Sequence, residues 1–163
     1  MYKAKDETKK VSQNAKVCSR SLQIPIIGLF ANHVYIEVPP YRYAIISHCK
    51  PTDGGPDNVI TGKAAHKSDN SPDPCDTTPR CVHCHPKPGV EDVTQCLRDA
   101  YNAYNDPSLY KALGPNSNTF AGTLARACCA NMIPKPPELG IVPGWNDSPA
   151  PRRAGVCPHV QKC

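Results

Sequence analysis

Gly114-Pro115-Asn116-Ser117-Asn118-Thr119-Phe120-Ala121-Gly122-Thr123-Leu124-Ala125-Arg126-Ala127-Cys128-Cys129 is the stretch on which the reading of this chain turns. A Gly-Pro turn hands polar residues to the start of a helix. Phe120, Leu124 and Ala127 or Cys128 recur at helical spacing, so the helix buries one face. Asn116 or Ser117 then falls at its N-terminal end, where backbone N–H groups and the positive end of the dipole favour developing negative charge. A nucleophilic hydroxyl there has an oxyanion site beside it. On this segment alone, a plain helix cap is the simpler reading of the same residues.

The strongest β signal lies upstream. His33-Val34-Tyr35-Ile36-Glu37-Val38 and Tyr43-Ala44-Ile45-Ile46-Ser47-His48 flank Pro39-Pro40-Tyr41-Arg42, which reads as a hairpin with a four-residue connection. Pairing Val38 with Tyr43 sets Ile36 opposite Ile45 and His33 opposite His48. Val34, Ile36, Val38, Tyr43 and Ile45 then line the buried face, while His33, Tyr35, Glu37 and His48 share the other. Two imidazoles across a ladder reach a common partner; two unrelated, partly solvated histidines are the plainer alternative.

Composition bounds what surrounds these elements. The chain has 163 residues, enough for one domain with a hydrophobic core. Its 19 prolines point to much irregular surface, and its net charge of +5 is too mild and scattered to argue for nucleic acid. The 10 cysteines, spread along the chain, read as disulfides in an oxidising compartment, with connectivity left open. Residues 1–16 are polar and lack the apolar core of a secretory signal, and no run is long enough for a membrane span. The expectation is therefore either a chain trimmed of its leader or a domain exported as part of something larger.

Residues 1–17 read as a flexible basic linker, leaving 18–163 as a single domain. Pro25 and Gly28 demote the run Ile24-Pro25-Ile26-Ile27-Gly28-Leu29-Phe30 to loop or edge strand. Residues 51–88 read as one long loop. It carries Cys75, Cys81, Cys84, His83 and His85, a knuckle-like set that offers a weak zinc site; disulfide pairing is the better use of its thiols. Residues 90–105 form an amphipathic helix with Val90, Val93, Leu97, Ala100 and Tyr104 as its stripe. The proline-rich tail from Pro134 wraps the domain with Trp145 as its anchor.

A strand-borne histidine followed much later by Asn-(nucleophile)-x-x-Phe at a helix start resembles the circularly permuted branch of the NlpC/P60 papain-like superfamily. That resemblance puts His33 at the base position and Ser117 where the family has cysteine, in Asn116-Ser117-Asn118-Thr119-Phe120. His48 is the candidate orienter, with Glu37 and Tyr35 as secondary candidates. The backbone N–H groups of Asn118 and Thr119, or the Asn116 amide, face the oxyanion. With sulfur absent, thiolate pre-activation is lost and Ser117 depends on its imidazole. More diffusely, Cys18-Ser19-Arg20, the hairpin, Gly-Pro-Asn-Ser-Asn-Thr-Phe and the final cysteines resemble variable C-terminal domains of Rhs-type polymorphic toxins. That likeness implies a toxin domain delivered from an Rhs carrier by a type VI secretion apparatus into the periplasm of a rival bacterium, and a cognate immunity protein.

The expectation is an α+β fold, a small antiparallel sheet packed on two helices with long disulfide-pinned loops. Its expected activity is that of a papain-like hydrolase or acyltransferase with a serine nucleophile and no cofactor. A peptidoglycan amide is the leading substrate and a lipid ester the next. A metal-dependent nuclease and a non-catalytic cell-wall binding module on the same fold are the alternatives, separable by metal analysis and by binding without turnover.

Overall fold

In the computed structural model, the residues described are 14–26, 29–45, 67–70, 78–106 and 116–147, without the side chains of 22–31. They form a five-stranded antiparallel sheet in the order β4-β3-β2-β1-β5 and two helices. The strands are β1 (Lys16–Ile26), β2 (Leu29–Val38), β3 (Tyr41–Ile45), β4 (Lys67–Ser68) and β5 (Arg80–His83); the helices are α1 (Val93–Ala103) and α2 (Ser117–Cys128). The fold is α+β.

Strict alternation decides which way the central strands face. Val34, Ile36, Val38, Tyr43 and Ile45 are buried in the main core, joined by Val17 from β1. The expected connection between β2 and β3 is too long by two residues. Tyr41 and Arg42 belong to β3, so Val38 faces Tyr41, Glu37 faces Arg42 and Ile36 faces Tyr43. An ion pair across the ladder, Arg42 Nη2 to Glu37 Oε1 at 2.7 Å, fits this register. A slip of two residues preserves every inward and outward side chain, which is why the faces are right where the register is not. The slip also removes the argument that set His48 opposite His33; His48 itself lies outside the described residues.

Ordered structure begins earlier than the sequence reading has it. β1 starts at Lys16, and Ala15 and Val17 are fully buried, inside the stretch taken as linker. Of the two expectations for the proline-containing run, loop or edge strand, it is strand on either side of 27–28, with Pro25 opposite Phe30 and Ile26 opposite Leu29 after a register shift beyond Ser21. Within 51–88, two short strands appear: β5 pairs with β1, and β4 extends the sheet beyond β3.

Helix α2 lies between the sheet and α1, packing on β2 and β3 on one side and on α1 on the other. That position buries it on nearly all sides, from Ser117 through Gly122 and at Leu124, Ala125 and Cys128. Helix α1 needs only its stripe: Val93 and Leu97 are buried, Val90 and Ala100 pack at the margin, and Asp92 caps its start by accepting from the Gln95 N–H. Tyr43, Tyr101, Tyr104 and Phe120 close the seam between the layers, with ring centroids 4.9 to 6.2 Å apart.

Among the described residues, three disulfides tie these parts together. Cys18–Cys81 crosses from β1 to β5 at directly paired positions. Cys84–Cys129 and Cys96–Cys128 use adjacent cysteines at the end of α2 to hold the segment after β5 and helix α1. Cys49, Cys75, Cys157 and Cys163 lie outside the described residues, as does the Gly-Pro turn at 114–115. No described helix is long and apolar enough to cross a membrane.

Candidate active site

Asn116 caps α2. Its side-chain Oδ1 accepts from the backbone N–H groups of Asn118 and Thr119 at 2.9 and 3.1 Å, and its own N–H donates to Thr119 Oγ1 at 3.2 Å, a reciprocal capping box. Ser117 is thereby fixed as the first residue of the helix. The two N–H groups expected to face an oxyanion are already engaged by the cap.

Asn118 explains where the helix start sits. β3 pairs with β2 only at positions 36 to 38, so the same edge of β2 at 32 and 34 needs other partners. The Asn118 carboxamide takes that place: Oδ1 accepts from the Val34 N–H at 2.8 Å and Nδ2 donates to the Asn32 carbonyl at 2.9 Å. One side chain thus acts as a rung of the ladder and pins α2 beside β2. Asn118→Ala strands the Val34 N–H and the carbonyls that Nδ2 serves, so urea unfolding is expected to show a loss of about 2 to 4 kcal/mol.

With α2 pinned there, His33 on β2 meets Ser117. His33 Nδ1 lies 2.8 Å from Ser117 Oγ, across 84 positions of sequence. When the ring carries its proton on Nε2, Nδ1 accepts from the serine hydroxyl, the tautomer that nucleophile activation needs. Both residues are buried, at 4% and 3% exposure. The Tyr35 ring stacks beside His33 with centroids 6.4 Å apart.

Among the described residues, the charge that acts on His33 is positive. Burial, and then the positive charge of Arg20, pull its pKa from 6.5 to about 3. Arg20 stands directly opposite His33 on β1 and is itself buried. Glu37, the secondary orienter, is four residues along β2, roughly 13 Å at strand rise, and is held by Arg42. A pH dependence follows. The unfolded chain protonates this imidazole below 6.5 and the folded chain only near 3, so the unfolded state binds the extra proton between those values. Stability should fall as pH drops from 6.5 towards 3, by up to about 1.4 kcal/mol per pH unit, and be flat in this residue above that window. Urea midpoints for the native chain and His33→Gln should converge at low pH; parallel curves would contradict this origin.

Cys81 and Cys84 are in disulfides, which withdraws both from any thiolate site, and His83 and His85 are exposed beside them. Cys75 lies outside the described residues. Among the described residues, no group of three His, Cys, Asp or Glu side chains is placed to hold a metal ion.

The sequence reading has the tail wrapping the domain on Trp145, and what it missed is that the tail crosses the site. Residues 139–145 pass over the start of α2, and their carbonyls accept from Asn32 Nδ2 and N (Leu139 and Ile141, 2.7 and 2.8 Å) and from Thr119 Oγ1 (Gly144, 2.8 Å). Arg126 Nη1 donates to the Trp145 carbonyl. Trp145 is buried as the tail anchor. The local signal for this crossing was Val142-Pro143-Gly144-Trp145, a turn pattern carrying the one tryptophan. No family model, curated protein or solved structure matches the chain.

Proposed function

We propose that this chain is a serine-dependent hydrolase or acyltransferase acting on an amide or ester bond, with Ser117 as nucleophile and His33 as its base. The observation that carries the reading is the 2.8 Å approach of His33 Nδ1 to Ser117 Oγ at the first turn of α2. A helix bearing the nucleophile and packed on the strand that bears the base also supports the permuted NlpC/P60 arrangement.

The chemistry is acyl transfer in two halves. As Ser117 Oγ attacks the substrate carbonyl carbon, its proton passes to His33 Nδ1. Collapse of the tetrahedral adduct breaks the C–N or C–O bond, and His33 returns the proton to the leaving amine or alcohol. Water or an acceptor hydroxyl or amine then attacks the acyl-serine while His33 takes its proton, and His33 returns that proton to Ser117 Oγ as the acyl C–Oγ bond breaks. A neutral imidazole is the form needed for the first transfer, and burial keeps His33 neutral at every pH above about 3. The same burial weakens it as a base, so the reacting state needs dipoles that stabilise the imidazolium.

Disulfides among the described residues fit an oxidising compartment. The periplasm is one, and peptidoglycan is its amide-rich polymer. On this reading the domain is an Rhs-type antibacterial effector delivered by type VI secretion, its partners a carrier, an immunity protein and the cell wall. A cell-wall digestion assay beside a toxicity assay, each with Ser117→Ala, tests it; undiminished activity in the variant removes the proposal.

The burial of the pair supports a second reading. At 3% and 4% exposure, Ser117 and His33 also suit a polar lock in a non-catalytic cell-wall binding module. Binding of muropeptides without turnover, unchanged by Ser117→Ala, would favour it.

A further inference from the structure

Two side-chain amides on either side of Ser117 converge on one oxygen. The Pro143 carbonyl accepts from Asn118 Nδ2 at 3.0 Å and from Asn116 Nδ2 at 3.3 Å. We propose that Asn116 and Asn118 form a carbonyl-binding cradle astride Ser117 for the backbone of an extended, peptide-like substrate, and that residues 139–145 occupy it as an internal strap. The proposal rests on the serine acyl-transfer reading and adds its substrate class and its regulation.

The cradle answers a question that the cap raises. The backbone N–H groups of Asn118 and Thr119 are spent on Asn116 Oδ1, so they are not the donors that hold an oxyanion. The two carboxamides remain, and both donate to a carbonyl oxygen. Paired, preorganised N–H donors on one oxygen are what a tetrahedral adduct requires.

The strap also shows how a peptide would lie. Its carbonyls at Leu139 and Ile141 accept from the side chain and backbone of Asn32, at the edge of β2 that β3 leaves open. An extended peptide lying there would make the same two bonds, one from the Asn32 N–H as in strand addition and one from its side chain, with Asn118 holding the Asn32 carbonyl and the Val34 N–H. Between its buried ends, Leu139 and Trp145, the strap has Gly140 and Gly144 at φ +72° and +82°. These two residues turn without steric cost. Ile141, between them, is 48% exposed.

Gly122→Ala moves the strap without touching the dyad or the cradle. A Cβ at Gly122 would stand 2.5 Å from the Trp145 carbonyl oxygen and 3.1 Å from Trp145 Cδ2, while alanine suits the helix better than glycine. Trp145, the single tryptophan, reports the displacement by its emission. Three readouts are taken on the full oxidised chain: Trp145 emission, the rate of Ser117 labelling by a fluorophosphonate, and the side-chain NH2 resonances of Asn116 and Asn118 titrated with N-acetyl-alanyl-alanine methylamide. The expected result is a red-shifted emission, labelling faster by about tenfold, the population shift from losing roughly one good hydrogen bond, and peptide-dependent shifts seen in the variant and not in the native chain.

Displaced Trp145 with unchanged resonances on peptide addition overturns the cradle, whether or not labelling rises. Peptide-dependent shifts without any labelling support the cradle and count against Ser117 as nucleophile. A native chain that labels as fast as the variant overturns the strap. Arg126→Gln, which removes the bond to the Trp145 carbonyl, replaces Gly122→Ala if the latter loses its near-ultraviolet signal.

Discussion

Ser117→Ala is expected to lower kcat/KM by about 10³-fold or more, and His33→Gln by a similar factor, because in the proposed mechanism the two act as one unit in proton transfer. The double variant should be no worse than either single one. That non-additivity is the diagnostic outcome, since two residues acting separately would multiply their losses. Stability must be read alongside. Ser117→Ala leaves His33 Nδ1 buried without the hydroxyl 2.8 Å away, a loss of about 1 to 3 kcal/mol. A variant that is folded at the assay temperature and inactive supports the dyad. One that regains activity when stabilised by lower temperature points instead to the polar lock. Multiplying losses in the double variant would end the claim of a shared proton path.

Reduction of the disulfides is the second large effect. The described bonds close loops of 32, 45 and 63 positions, and chain entropy assigns roughly 4 kcal/mol to each. A domain of this size has about 5 to 15 kcal/mol of net stability, so losing two or three such constraints consumes most of it. The expected result is a cooperative urea transition in the oxidised chain and a much lower midpoint, or none, with reductant. Replacing Cys96 and Cys128 together by alanine should cost about 4 kcal/mol and free α1 from the end of α2, visible as faster amide exchange in 93–103. Coincident oxidised and reduced midpoints would show that packing alone carries the fold. The same dependence gives a biological expectation: a chain held in a reducing cytoplasm should be poorly folded and acquire its site on reaching an oxidising compartment.

Several features were legible because they follow from a few neighbouring residues. Phe120, Leu124 and Cys128 recur at helical spacing, and Asn116 caps the helix they define. The stripe of 90–105 likewise marked α1, although the helix begins only at Val93, with Asp92 as a cap the sequence reading did not name. β1 was not legible: Pro25 and Gly28 hide its outer end, and Lys16 looks like part of a lysine-rich arm until β2 is present to pair with it. The hairpin register erred by two because proline marks a turn without counting its residues. Hydrogen bonds from Asn118 to both Asn32 and Val34 leave no trace in periodicity, since a single amide serves as a strand rung only once helix and sheet have met.

What the amino-acid order determined by itself is the facing of β2 and β3, the two helices and the cap of α2, and a reliance on cysteine pairing. These rest on side-chain period and backbone chemistry, which act over a few residues. What only the tertiary structure decided is which cysteines pair, that a histidine on β2 lies within hydrogen-bond distance of a serine 84 positions away, that Arg20 stands opposite that histidine, and that 139–145 bonds to Asn32 and to the start of α2. Such meetings depend on how whole elements pack, and packing rewards total burial and satisfied backbone groups, quantities that no single stretch of sequence contains.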